Sequence, residues 1–154
     1  MMFTRRQASA LVAGSLFSTV LPWRPALAVP AISARDGVAI QGFDAVSYFA
    51  DNRDVKGSIE TLYRWRGALW LFSNAANRDL FAAAPEKYCP QYGGYCALSV
   101  AYGKTAPGVG DAWHIHEGKL YLNYDKGVRD RWRRDVPGNI ARANLHWPKL
   151  VDAE

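Results

Sequence analysis

The sequence predicts an α+β fold in which a small antiparallel sheet, made of two hairpins, is covered by several short helices. Two observations support this prediction. Runs of apolar and aromatic residues occur in pairs around a glycine turn, once in residues 61–72 and again in residues 112–124. Short helical segments, several of them opened by a capping residue or a proline, lie before, between and after these pairs.

The two hairpins are predicted from residue alternation and turn chemistry. In the first, Leu62 alternates with polar or aromatic neighbours and Gly67 supplies the turn. In the second, the pair Glu117 and Gly118 supplies the turn. The predicted strands are residues 61–66, 68–72, 112–116 and 119–124.

The helices are predicted from their first residues. Asp44, Asp125 and either Ser73 or Asn74 are side chains that cap helix N-termini, and Pro85 suits the first helical position. We expect the pair at residues 137–138, proline and glycine, to interrupt the last helix. The predicted helices cover residues 45–49, a segment ending at residue 84, residues 85–88, residues 95–101, a segment ending at residue 134, and residues 140–145.

Residues 1–28 have the pattern of a signal peptide. Arg5 and Arg6 precede an apolar stretch of about 14 residues, which is too short to cross a bilayer as a helix. The small residues at 26 and 28 form a cleavage site, so we expect cleavage after Ala28. Adjacent arginines favour the twin-arginine route, which exports folded proteins. The expected location is periplasmic, with no transmembrane segment in the mature form.

Length and charge limit the function of the mature chain. Residues 29–41 are predicted to be a lead-in and residues 42–150 a single domain. Three of the 19 basic residues leave with the signal peptide, so 16 basic residues face 14 acidic ones. An excess this small argues against a nucleic-acid partner.

Four motifs give the chain a family resemblance. The mature chain resembles the exported, single-domain branch of the YHS domain proteins, and the resemblance covers nearly all of it. The motifs are GFDAVSYF at residues 42–49, FSNAANRDLF at residues 72–81 followed by PEKY at residues 85–88, PQYGGYCA at residues 90–97, and GKLYLNY at residues 118–124.

The resemblance implies a metal-binding scaffold with an altered site. Short YHS domains are related to TRASH-type modules, and the family pattern implies that they bind metal through two cysteines. Here those two positions are Ser73 and Asn77. The other positions of the pattern are matched by Phe72, Phe81 and the proline and tyrosine of the PEKY motif. Serine and asparagine offer no thiolate to a soft metal ion. The usual site is therefore expected to be missing.

The two cysteines are the first candidate site residues. Cys96 matches the GGYCA motif and lies at the start of a predicted helix, where a thiol pKa can fall. It is interpreted either as a metal-ligating or redox cysteine or as a buried packing residue. A Cys89–Cys96 disulfide is a third alternative, because an oxidising compartment favours pairing. The neighbouring Tyr92 and Tyr95 are hypothesised to line a pocket.

His114 and His116 are the second candidates. They lie two residues apart on a predicted strand, so both point to one face, while Trp113 and Ile115 point to the core. An outward pair of this kind is either solvated or, with Cys96 nearby, part of a mixed copper or zinc site.

No common enzyme motif is present in the sequence: it lacks a G-x-S-x-G elbow, an H-E-x-x-H helix, a phosphate-binding loop and a C-x-x-C pair. We therefore expect a non-enzymatic periplasmic metal-binding module, with copper preferred over zinc or iron. Its ligands would come from Cys96, Cys89, His114 and His116. The alternatives are a disulfide-stapled interaction or structural module without metal, and a small thiol-dependent oxidoreductase.

Overall fold

The computed structural model describes residues 29–151, and these residues form an α+β fold, as predicted. The expected signal peptide at residues 1–28 lies outside the described residues. The two ends of the described chain meet, because the Val29 amide donates a hydrogen bond to the Leu150 carbonyl and Val29 pairs with Val151. In the described part of the chain, no helix is long and apolar enough to cross a membrane.

The strands form two separate sheets. The larger sheet has the order β1-β2-β4-β3, in which β2 and β4 run parallel and the other neighbours antiparallel. The smaller sheet is the β5–β6 hairpin. The strands are β1 (Ala34–Arg35), β2 (Val38–Ala39), β3 (Ser58–Trp65), β4 (Ala68–Phe72), β5 (Val109–His116) and β6 (Lys119–Asn123).

Both predicted hairpins are present, and their turns explain why. In each turn the two central residues have positive φ: 46° and 71° at Arg66 and Gly67, and 49° and 71° at Glu117 and Gly118. Two-residue turns with positive φ match the right-handed twist of paired strands. Neither β1 nor β2 was predicted, because strands of two residues are too short to show alternation.

Two helices begin where their capping residues predict, whereas the helices expected at residues 45–49 and 95–101 begin at Ser47 and Ala97. Asn74 accepts a hydrogen bond from the Asn77 amide, and Asp125 accepts one from the Val128 amide. The last helix departs from expectation, because Pro137 sits in its first turn, where no amide hydrogen is needed. The helices are α1 (Ser47–Ala50), α2 (Ala75–Ala83), α3 (Pro85–Tyr88), α4 (Ala97–Ala101), α5 (Lys126–Trp132) and α6 (Val136–Leu150).

Two hydrophobic cores lie on opposite faces of the β5–β6 hairpin. Leu120 and Leu122 of β6 belong to the first core, which also contains Trp70 and Phe81. The residue between them, Tyr121, belongs to the second core. That core contains Val100, Trp132, Val136 and Ala143, together with other residues of helices α4 to α6. Alternate side chains of one strand therefore supply both cores.

Candidate functional site

A buried carboxylate, Asp44, contacts both Ser73 and Asn77. Asp44 is fully buried, and its Oδ1 accepts hydrogen bonds from the amides of Val46 (2.9 Å) and Ser47 (3.3 Å). Its Oδ2 accepts from the Ser73 amide (2.9 Å), the Ser73 hydroxyl (2.6 Å) and Asn77 Nδ2 (2.8 Å). The carboxylate thus joins the start of α1 to the end of β4 and to α2.

This hydrogen-bonded cluster gives Ser73 and Asn77 a structural role. Their polar groups point at Asp44, and five donors satisfy the carboxylate, as a buried charge requires. The sequence predicted Asp44 as the cap of a helix over residues 45–49, but the helix begins at Ser47 and has Val46 at its cap position. Asp44 Oδ1 instead accepts hydrogen bonds from the amides of the turn that leads into the helix. The sequence gave no sign that Oδ2 would bind two residues about 30 positions away, because that contact depends on tertiary packing.

The two cysteines are buried free thiols in the structure. Burial raises the pKa of the Cys89 thiol to about 12, so this group is protonated at neutral pH. Cys96 is fully buried, with its Sγ 3.8 Å from Asn123 Oδ1, an atom that also accepts the Leu98 amide. Neither sulfur is well exposed to a substrate.

The two histidines share a face of β5, as expected, and that face is partly covered. The ring of His114 lies edge-on to Trp132 of the second core, with 5.4 Å between centroids. Burial lowers the pKa of His114 below its ordinary value of 6.5. The charges of Arg133, His116 and Arg129 lower it further. His114 is therefore a neutral imidazole at neutral pH.

The proposed metal ligands do not form a recognisable donor set. Across residues 29–151, no group of three or more histidine, cysteine, aspartate or glutamate side chains is placed to hold a metal ion. Cys89 packs in the first core, while the His114 ring lies against the second. Metal sites need several such ligands at one point, so these residues do not fit a preformed copper, zinc or iron centre.

The strongest candidate site is an open cleft of about 460 Å³, here called the aromatic cleft. The rings of Trp65, Tyr92 and Trp147 line it, together with Cys89. At its rim, Arg66 and Glu86 form an ion pair at 3.3 Å. The hypothesis that Tyr92 lines a pocket is confirmed here, whereas Tyr95 lines a different pocket. Ala31, Trp65 and Trp147 come from distant segments, so local sequence patterns do not reveal the cleft.

A left-handed turn forms one wall of this cleft. Tyr92, Gly93 and Gly94 have φ values of 57°, 59° and 86°. A Cβ atom on Gly93 would lie only 1.8 Å from the Ala31 carbonyl oxygen, so a side chain cannot fit there. The Tyr92 hydroxyl donates to Asn144 Oδ1 at 3.0 Å, which helps to hold this left-handed tyrosine in place.

Comparison with known proteins gives no further guide to the site. No protein-family model, curated protein or solved structure matches the chain. Chemically, the aromatic cleft offers partly exposed indole rings, both polar and apolar lining groups, and one ion pair at its edge. This combination suits binding of an amphipathic molecule.

Proposed function

We propose that the protein is an exported periplasmic module of the YHS type that binds a small organic ligand in the aromatic cleft without transforming it. The volume of the cleft is the main support, because about 460 Å³ lies within the range of ordinary small-molecule sites. The signal pattern of residues 1–28 supports export, and the four motifs support the family.

The lining of the cleft indicates the class of ligand. The partly exposed indoles of Trp65 and Trp147 suit a ligand with an apolar, ring-bearing part. The guanidinium of Arg66 lies 4.6 Å from the centre of the Trp65 ring, so an anionic group on the ligand would meet a cation beside an aromatic surface. The side chains of Arg66 and Glu86 are both more than a third exposed, so solvent screens their ion pair.

The anionic fluorophore 8-anilinonaphthalene-1-sulfonate, which has this chemistry, tests the proposal. Its fluorescence is titrated with the mature protein and with the variant Ala31→Phe, which fills the cleft without removing a ring. We expect affinity to fall about tenfold, because the new ring competes for the same volume. The matched control is Ala34→Phe, which places the same ring on an exposed alanine outside the cleft.

Two results would contradict the proposal. One is equal affinity of both variants and the parent protein for the probe, which would place the dye elsewhere. The other is near-stoichiometric copper, zinc or iron in protein purified from the periplasm without added metal or chelator. That metal content would favour the metal-binding function predicted from the sequence, with ligands around Cys96, which stays a prediction.

A further inference from the structure

A second cleft, of about 480 Å³, runs along β5 on the side away from β6, and is here called the edge cleft. One wall is α5 with the turn that follows it, and another is the loop that carries Asn52 and Asp54. The strand itself contributes Trp113, His114 and Ile115. The edge cleft contains none of the residues that line the aromatic cleft.

The main chain of β5 is open toward this cleft. β5 pairs with β6 alone, and the two-residue turn makes His116 and Lys119 the closing pair. Because hydrogen-bonded pairs alternate in an antiparallel ladder, Trp113 and Ile115 direct their N–H and C=O groups to the opposite edge. Within residues 29–151, no main-chain hydrogen bond joins these two residues to any other segment. An unpaired edge of this kind can accept another strand.

The helical wall of the edge cleft is basic. Lys126, Arg129 and Arg133 follow one another at the spacing that puts them on one face of a helix. Lys126 pairs with Asp111 across the cleft at 3.3 Å, and Arg129 pairs with Asp130 at 2.9 Å. No ion pair of Arg133 occurs in the part of the chain that the structure covers.

The acidic residues of the edge cleft already have partners. Asp111 is paired with Lys126, and Asp54 accepts a hydrogen bond from Trp113 Nε1 at 3.3 Å. The hydrogen bond from the neutral indole does not offset the Asp54 carboxylate, which lies at the Trp113 end of the cleft. Arg133 and Arg129 are close enough to His114 to disfavour its protonation, so the cationic groups lie at the His114 end. A planar guanidinium binds a carboxylate through two parallel hydrogen bonds.

We propose that the edge cleft binds an extended acidic peptide segment of a partner protein. The segment adds a strand to the free edge of β5, where it pairs with the main chain of Trp113 and Ile115. A carboxylate on the segment binds Arg133. Main-chain bonding supplies affinity and the basic wall supplies the preference for acidic sequences. This inference is independent of the ligand proposed for the aromatic cleft.

Fluorescence polarisation tests the proposal with a labelled peptide of about six residues in which valine alternates with glutamate. We expect saturable binding by the mature protein. Binding should weaken at least about tenfold for the same peptide with glutamine in place of glutamate. It should also weaken when alternate peptide nitrogens are methylated, because methylation removes the donors that pair with a strand edge.

The variants Arg133→Gln and Arg134→Gln form a matched pair. Both remove one charge from neighbouring exposed arginines, but only Arg133 lines the edge cleft. We expect about a tenfold loss of affinity for Arg133→Gln and less than about a twofold loss for Arg134→Gln. Equal losses, full binding of the methylated peptide, or no binding of the acidic peptide would overturn the proposal. So would a dimer in sedimentation that forms through this edge.

Discussion

At the scale of single residues, Asp44 is a fully buried carboxylate that accepts five hydrogen bonds. A carboxylate without solvent contact is costly unless its oxygens are bonded, and here five donors bind it. These donors belong to segments that are distant in sequence, so one side chain holds three elements in place. Ser73 and Asn77 therefore act as hydrogen-bond donors to this carboxylate.

The variant Asp44→Asn tests this role. An amide at this position turns an NH₂ group toward donors that need an acceptor, so we expect a loss of about 3 kcal/mol in the free energy of unfolding. Urea unfolding followed by circular dichroism measures the change. The control Asp51→Asn makes the same substitution at an exposed carboxylate and should change stability by less than about 0.5 kcal/mol. Similar stability of the two variants would show that the cluster contributes little.

At the scale of elements, the left-handed turn at residues 92–94 determines the wall of the aromatic cleft. Its geometry depends on the absence of a side chain at Gly93, where the Ala31 backbone comes too close for a Cβ atom. The Ser33 amide also donates to the Gly93 carbonyl at 2.9 Å, which joins the turn to the segment before β1.

We predict that Gly93→Ala costs at least about 3 kcal/mol of stability, from the positive φ together with the steric clash. Gly67→Ala is the matched control, since Gly67 has φ of 71° but no atom within 4 Å of the added Cβ. That variant should lose only about 1 kcal/mol, from backbone strain. Thermal unfolding of the two proteins separates strain from clash; equal losses would mean that the Ala31 backbone shifts easily.

The elements that the sequence predicted are those with local signals. The turns at Gly67 and Gly118 and the caps at Asn74 and Asp125 act within a few residues, so their patterns identified both hairpins and two helices. The sites depend on contacts between distant segments. The aromatic cleft combines residues from both ends of the described chain, and the periodicity of the sequence does not predict that these ends lie close together. His114 was expected on an open face because the sequence does not show that α5 covers it.

At the scale of the whole molecule, stability should depend on pH through His114. Its pKa in the folded protein is lowered, so the unfolded chain binds more protons once the pH falls below about 6.5. Protein stability should therefore decrease from about pH 7.5 to about pH 5.5. Arg133, His116 and Arg129 are the charged groups that disfavour protonation of His114.

Urea unfolding at several pH values measures this dependence in the parent protein and in two variants. We expect His114→Gln to reduce the loss of stability on acidification, because the glutamine does not titrate. The control His116→Gln should retain most of the loss. The assignment to His114 would be wrong if the parent protein and His114→Gln showed the same dependence on pH.

The position of the β5–β6 hairpin between the two cores affects how the protein unfolds. The hairpin is a shared wall, because Leu120 and Leu122 face one core while Tyr121 faces the other. If either core unfolded, the hairpin side chains that face it would be exposed to solvent. The hairpin would then no longer be held in the position in which its other face packs against the second core. We therefore expect the two cores to unfold together, in one cooperative transition, although they are separate in the folded protein.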